Sequence, residues 1–147
     1  MNKKKRKICV LGLGYVGLPL ALAFGEQYHT LGYDISTKRV KELKNKLDKN
    51  LEISQSEFNK SKLLSFSSSL DEIRNSNIFI VTVPTPIFSN KKLNLRYVIQ
   101  ATNNVAKYLK KGDLVVYEST VYPGFTEEVC IPILNKSNLI INLDYFV

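Results

Sequence analysis

The chain has little cysteine and histidine, which limits the chemistry that its 147 residues can support. Its two cysteines, Cys9 and Cys130, lie far apart in sequence, which argues against a disulfide framework and predicts a reducing, cytoplasmic environment. Neither cysteine lies among basic residues, so we expect neither to be a nucleophile. The single histidine, His29, is interpreted as a surface residue rather than a catalyst, and we predict no metal site.

Long apolar runs and an excess of acidic residues are also missing. No apolar run reaches the roughly 18–20 residues of a membrane span, and residues 1–7 lack the apolar stretch of a secretory signal. Lysine and arginine number 21 against 13 acidic residues, and much of the net charge of +8 lies in the N-terminal residues and in 38–49. Aromatic and basic residues are not interleaved, so we predict no nucleic-acid partner. A basic surface suits anionic nucleotides and nucleotide sugars.

A glycine fingerprint near the N-terminus is the most informative feature that is present. The apolar run Lys7–Leu11 leads into Gly12-x-Gly14-x-x-Gly17, an apolar helical stretch follows, and Asp34 ends the next predicted strand. In dinucleotide-binding proteins the first glycine permits a tight turn, the second lets a pyrophosphate approach the backbone, and the third lets the helix pack against the strand. The helix N-terminus attracts the phosphates. The pattern predicts a βαβ dinucleotide site; the alternative is a glycine turn in an ordinary α/β protein.

Predicted strands and helices alternate along the chain, which is typical of a parallel sheet with helices on both faces. The length is that of one domain, and 44% of the residues are hydrophobic, enough for a core. We therefore predict a single-domain α/β fold, a Rossmann-type doubly wound parallel sheet. The predicted strands are 7–12, 30–34, 66–67, 77–83, 114–117 and 139–141. The predicted helices are 15–28, 37–47 with Ser36 as N-cap, 56–63, 70–74 capped by Ser69, 95–109 and 124–134. The inner face of the first helix is predicted to hold Val16, Leu20, Ala23 and Phe24.

Asp34 lies at the end of the second predicted strand, and ligands of such sheets bind at the carboxyl ends of the strands. Its carboxylate can accept hydrogen bonds from an adenosine ribose diol and would repel a 2′-phosphate, so NAD is favoured over NADP. Lys38 and Arg39 weaken this preference, because a nearby arginine can accept a 2′-phosphate. Arg39 is placed to lie over the adenosine. The alternative for both residues, which suits Lys38 better, is a solvent-exposed helix face.

Polar loops follow two later strands. Residues 83–86 contain two prolines that stiffen the loop, and the Thr85 hydroxyl is predicted to face the crevice. The alternative is a rigid turn with a solvent-facing threonine. Residues 118–120 place a carboxylate and two hydroxyls at a strand end, a cluster that can position a water or a nicotinamide. The alternative is that Ser119 and Thr120 only satisfy backbone groups of the loop.

Three motifs in this order resemble the UDP-glucose/GDP-mannose dehydrogenase family. They are GLGYVGLP at 12–19, VTVPTPI at 81–87 and YESTVYPG at 117–124, of which the second and third are the more specific. Together with TEEVCIP at 126–132, the third motif is most similar to the UDP-N-acetylglucosamine and UDP-N-acetylgalactosamine 6-dehydrogenases of capsule and O-antigen synthesis. The resemblance covers essentially residues 7–147.

The resemblance implies a four-electron oxidation. The C6 carbon of a sugar alcohol gives a hydride to NAD, a covalent thiohemiacetal gives a second hydride, and the resulting thioester is hydrolysed to a uronic acid. It also implies that the Val16 backbone, Asp34, Arg39 and Thr85 bind NAD, and that Thr120 lies at the nicotinamide and helps orient the hydrolytic water. The residues expected to bind the cofactor are Gly12, Gly14, Tyr15, Val16, Gly17, Asp34, Arg39, Val83, Pro84, Thr85, Ser119 and Thr120, of which Thr120 is also expected to be catalytic.

Members of the family also contain a helical dimerisation segment, a UDP-binding domain and a catalytic cysteine in a Gly- and Phe-rich motif, and these motifs do not occur in residues 1–147. We therefore expect an isolated or truncated N-terminal domain that does not complete the reaction alone. The full-length enzyme is expected to be a homodimer that acts on a UDP-sugar. The alternatives are a domain of another NAD-linked dehydrogenase such as a β-hydroxyacid type, an NAD-binding or sensing module, and a non-functional remnant that folds poorly.

Overall fold

The computed structural model describes residues 6–49 and 53–147, and their five strands form one parallel sheet in the order β3-β2-β1-β4-β5. Residues 1–5 of the basic N-terminus and residues 50–52 lie outside the described part. The strands are β1 (Lys7–Leu11), β2 (His29–Tyr33), β3 (Leu64–Ser67), β4 (Ile78–Val81) and β5 (Leu114–Tyr117). The α-helices are α1 (Gly17–Gly25), α2 (Thr37–Lys44), α3 (Gln55–Lys60), α4 (Arg96–Ala106) and α5 (Ile131–Leu134).

Helices cover both faces of the sheet, and the central strand shows why. In β1, Cys9 and Leu11 point into a core shared with α4 and α5, whereas Ile8 and Val10 point into a second core shared with α1, α2 and α3. A parallel strand that is buried on both faces reads as a continuous apolar run, which is the pattern seen in β1 and β4. The predicted doubly wound α/β sheet is confirmed.

The buried face of α1 differs from the predicted one. The buried residues are Gly17, Leu18, Ala21, Leu22 and Gly25, whereas Val16 and Ala23 are exposed and Leu20 and Phe24 are half-buried. Small residues at four-residue spacing bring the helix backbone close to the strands: a Cβ atom at position 25 would lie 2.7 Å from the Leu64 Cβ atom. The predicted inner face was wrong because the close approach of Gly17, Ala21 and Gly25 to the strands decides which side of α1 is buried.

Several element boundaries also differ from the predicted ones. Residues 139–141 form no strand; Ile141 makes an isolated bridge with Tyr145, and Leu114 at the sheet edge makes another with Phe146. The helix predicted at 124–134 begins as a π-helical turn, Thr126–Cys130, which continues into α5. Ser36 caps α2 as predicted, by accepting a hydrogen bond from the Arg39 backbone N–H.

Two short helices lie in the middle of the chain. The first, α3, is shorter than predicted and carries a capping box in which Ser54 and Glu57 each accept from the other's backbone N–H. The second is a 3-10 helix, Leu70–Asn75, and the predicted cap Ser69 makes no side-chain capping bond. None of the helices within 6–49 and 53–147 has the length and apolarity required to cross a membrane.

Candidate functional site

A cavity of about 920 Å³ opens at the carboxyl ends of the strands, between the glycine loop, the β2–α2 loop and the loops after β4 and β5. Ligands of doubly wound sheets bind at this edge, because the strand order reverses there. All but one of the residues expected to bind the cofactor line the cavity: Gly12, Gly14, Tyr15, Val16, Asp34, Arg39, Val83, Pro84, Thr85, Ser119 and Thr120. The exception is Gly17, which is buried behind the loop.

Gly12 and Gly17 are required by the packing of the protein itself. Gly12 has φ +97°, a conformation that side-chain-bearing residues rarely adopt. A Cβ atom at Gly17 would lie 1.8 Å from the Gly12 carbonyl oxygen and 2.4 Å from the Thr82 hydroxyl. That hydroxyl donates to the carbonyls of Leu11 and Gly12 at 3.0 and 2.7 Å, so it ties the end of β4 to the start of the glycine loop. Thr82 was not among the predicted site residues.

Gly14 has a different environment. Apart from Gly14 itself and its two chain neighbours, no described residue has an atom within 4 Å of the position that its Cβ would take, so no packing contact among them requires a glycine there. The open space borders the cavity at the N-terminus of α1, where the first backbone N–H groups of a helix lack intrahelical partners. Tyr15 and Val16 flank this space with exposed side chains. The space is open to an anionic group such as a pyrophosphate, which a helix N-terminus can bind.

Asp34 connects the glycine loop to the β2–α2 loop. One carboxylate oxygen accepts from the Leu13 N–H at 2.8 Å, and the other accepts from the Ser36 N–H at 2.9 Å. Each carboxylate oxygen has further lone pairs, so the half-buried group retains the capacity to accept two hydroxyls from the cavity side. The geometry therefore suits a ribose diol.

Arg39 extends the same network from α2. Its Nε donates to the Leu13 carbonyl at 3.0 Å, and its Nη1 lies 2.9 Å from a carboxylate oxygen of Asp48. Leu13 is thus held through both its N–H and its C=O groups. The sequence analysis missed Asp48, because nothing in the local pattern distinguishes this acid from other charged residues beyond the end of α2.

The loops after β4 and β5 form the opposite end of the cavity. The Ser119 hydroxyl donates to the Val83 carbonyl at 2.8 Å, so this side chain joins the two loops and satisfies a backbone group. Thr85 is half-buried and Thr120 is exposed, and both line the cavity. The alternative role proposed for Ser119, satisfying the loop backbone, is therefore observed, while the side chain also lines the site.

Residues of α4 complete this wall and were not predicted. Tyr97, Gln100 and Asn104 line the cavity from one stripe of the helix. Their spacing of three and four residues puts them on one helical face. The predicted helix 95–109 was therefore enough to predict that these three polar residues lie together.

A buried polar group lies behind the β5 loop. The fully buried Thr102 hydroxyl donates to the Val98 carbonyl at 2.8 Å and lies 2.9 Å from the Tyr117 hydroxyl and 3.7 Å from the Cys130 sulfur. Burial raises the pKa of the Tyr117 hydroxyl, so it stays protonated and is a hydrogen-bond donor. This contact anchors the last residue of β5, immediately before Glu118, to α4.

Neither cysteine has the environment of a nucleophile. Cys9 is fully buried in the centre of the sheet, and burial raises the pKa of its thiol well above the usual range. Cys130 is also fully buried, and burial raises its thiol pKa as well. Thiolate formation is disfavoured at both positions, which agrees with the expectation from sequence.

Comparisons with known proteins agree on one family. The model of the UDP-glucose/GDP-mannose dehydrogenase family, NAD binding domain, matches residues 6–146. The chain is 48% identical over 142 residues to a UDP-N-acetyl-D-glucosamine 6-dehydrogenase of Salmonella typhi, and 42% identical over 143 residues to the protein CapL of Staphylococcus aureus. These matches cover 96% and 97% of this chain but 33% and 34% of the relatives. The chain thus spans about one third of their length.

Solved structures extend the agreement to the fold. A UDP-D-ManNAc dehydrogenase from Pyrococcus horikoshii matches with a TM-score of 0.86 and 31% identity, over 95% of this chain and 34% of that one. A GDP-mannose dehydrogenase from Pseudomonas aeruginosa matches with a TM-score of 0.88 over the same shares, and at 23% identity it shows the fold alone. By its sequence along nearly its whole length, the chain belongs to the UDP-glucose/GDP-mannose dehydrogenase family, within which it corresponds to the NAD-binding domain.

Proposed function

We propose that the chain is the NAD-binding domain of a nucleotide-sugar 6-dehydrogenase that oxidises the C6 hydroxyl of a UDP-N-acetylhexosamine to a uronic acid for surface polysaccharide synthesis. The observation that carries the proposal is one continuous cavity that joins Asp34, the open position at Gly14, and Thr120. The 48% identical relative is a UDP-N-acetyl-D-glucosamine 6-dehydrogenase, which supports the substrate class. The name CapL supports the capsular role.

The two ends of the cavity have separate proposed roles. Asp34 accepts the adenosine ribose diol, Arg39 lies over the adenosine, and the backbone from Gly12 to Val16 holds the pyrophosphate. Val83, Pro84 and Thr85 contact the cofactor on the wall after β4, and Ser119 and Thr120 do so after β5. NAD held by these residues would supply the hydride acceptor for the oxidation. Thr120 is the proposed catalytic residue, which lies at the nicotinamide and orients the hydrolytic water.

We further propose that these 147 residues alone do not complete the oxidation. A covalent sulfur intermediate needs an accessible thiolate, and both cysteines of the chain are buried with raised thiol pKa values. The nucleophile, the UDP-binding surface and the dimerisation segment would belong to other parts of a longer, homodimeric, cytoplasmic enzyme. The relatives' threefold greater length leaves room for these parts.

Calorimetric titration with NAD tests the cofactor site in the chain itself. We expect NAD to bind and Asp34→Ala to weaken binding at least roughly tenfold, since hydrogen bonds to a charged group are worth about 1.5–3 kcal/mol. Asp71→Ala removes an exposed acid from outside the cavity and serves as the matched control. Failure of the folded chain to bind NAD would contradict the proposal.

A domain exchange tests the reaction. Residues 6–146 would replace the matching segment of the Salmonella typhi relative, and NADH formation would be followed with UDP-N-acetylglucosamine. We expect NADH from the exchanged enzyme and none from the 147-residue chain alone. An exchanged enzyme that folds and binds NAD but oxidises no UDP-sugar would favour the alternative, an NAD-binding or sensing module or a domain of another NAD-linked dehydrogenase.

A further inference from the structure

Three basic side chains line the end of the cavity that holds Asp34, here called the adenosine end, and two of them are paired with acids. Arg39 Nη1 lies 2.9 Å from Asp48, and Lys49 Nζ lies 2.7 Å from Glu42, whereas the third, Lys38, is exposed. The carboxylate of Asp34 is held differently, by the backbone N–H groups of Leu13 and Ser36. The positive charges of Arg39 and Lys49 are thus neutralised locally, while the Asp34 carboxylate lies on the cavity wall.

This pattern matters for the choice between NAD and NADP, which differ only by a 2′-phosphate. A phosphate monoester carries a charge of about −1.5 to −2 at neutral pH and is bound by arginine and lysine side chains. Arg39 and Lys49 are of the right type, but each is already engaged by an acid. We propose that Asp48 and Glu42 are specificity-determining residues, which weaken NADP binding by withholding Arg39 and Lys49 from a 2′-phosphate. The proposal rests on the proposed NAD site.

The two acids contribute unequally because their burial differs. The Asp48 side chain is 1% exposed and that of Arg39 is 14% exposed, and Asp48 also accepts from the Ile53 N–H at 3.3 Å. Arg39 is further fixed by its bond to the Leu13 carbonyl. The Lys49 side chain is 64% exposed, so water screens the Glu42 pair more strongly. Asp48 is therefore the stronger determinant.

Isosteric amide substitutions test the proposal by the ratio of the two dissociation constants. Asp48→Asn and Glu42→Gln each remove one negative charge, and Glu26→Gln makes the same change at an exposed position outside the cavity. We expect the preference for NAD over NADP to fall roughly tenfold in Asp48→Asn and about threefold in Glu42→Gln, with no change in Glu26→Gln. Calorimetric titration of each variant with both cofactors gives the ratios.

The outcomes separate this inference from the cofactor site itself. A wild-type chain that prefers NAD, with variants that keep the same preference, would overturn the inference and leave Asp34 as the sole determinant. A folded wild-type chain that binds neither cofactor would overturn the proposed function. If Asp48→Asn does not fold, the cofactor ratio of Glu42→Gln tests the inference. This variant should fold, because the partner of Glu42, Lys49, is solvent-exposed and Arg39 stays paired with Asp48. An unchanged ratio in that variant would contradict the inference.

Discussion

At the end of the cavity that holds Asp34, hydrogen bonds and an ion pair around Leu13 connect Asp34, Ser36, Arg39 and Asp48. At the other end, the exposed Thr120 side chain lies on the loop after β5. The first arrangement fixes side chains by contacts within the protein and so links binding to stability. The second leaves a functional group open to a ligand at little structural cost. Substitutions at the two ends should therefore have different consequences.

The largest effect is expected at Gly17, the first residue of α1. Gly17→Ala would place a Cβ atom 1.8 Å from the Gly12 backbone oxygen, so the loop or α1 must move. We expect the free energy of unfolding to fall by about 4 kcal/mol or more, a size reserved for severe packing defects. Urea denaturation followed by circular dichroism would measure it.

Gly14→Ala is the matched substitution, because the added methyl group enters open space. We expect the free energy of unfolding to change by less than about 1 kcal/mol. The NAD affinity should fall roughly tenfold, which is equivalent to about 1.4 kcal/mol. Equal losses of stability in the two variants would contradict the distinction between a packing glycine and a ligand-facing glycine.

A second large effect is expected for Arg39→Met. The substitution leaves the nearly fully buried Asp48 carboxylate without this guanidinium, and breaking a buried ion pair costs about 3–5 kcal/mol. We expect a loss near the lower end of that range, with weaker NAD binding. The double variant Arg39→Met with Asp48→Leu should recover most of the stability but not the binding. A double variant as unstable as Arg39→Met would show that the ion pair is not the cause.

The smallest effect on stability is expected for Thr120→Ala. Because this side chain is exposed, the free energy of unfolding should stay within about 0.5 kcal/mol of the wild type. In the domain-exchanged enzyme, NADH formation should nevertheless fall, since Thr120 is proposed to orient the hydrolytic water. Thermal melting and the steady-state rate measure the two quantities. A loss of stability comparable to that of Arg39→Met would remove the contrast between the two ends of the cavity.

Features of the fold that depend on neighbouring residues in the sequence were predicted more accurately than features that depend on tertiary packing. The strand Leu114–Tyr117 and the N-cap at Ser36 were predicted at the observed positions, because both depend on near neighbours. The inner face of α1 was predicted wrongly, since the choice of Gly17, Ala21 and Gly25 depends on how closely the helix approaches the sheet.

The candidate site shows the same division. Gly12, Gly14 and Asp34 are recognised by their spacing along one βαβ unit. Asp48 is not, because its contact with Arg39 depends on how the chain turns back after α2. Thr82 is not, because it acts through the carbonyls of Leu11 and Gly12, which are distant in sequence. A cap or a turn leaves a local pattern, whereas the partner of a charged side chain does not.

The sequence by itself determined the alternation of strands and helices, the glycine loop and the acid at the end of β2. Apolar periodicity and the backbone freedom of glycine act over a few residues and leave a pattern along the chain. Only the tertiary structure decided that Asp48 neutralises Arg39, that Ser119 joins two loops and that both cysteines are inaccessible. These features depend on distances that no local sequence pattern specifies, because they are set by the packing of α1, α2 and α4 against the sheet.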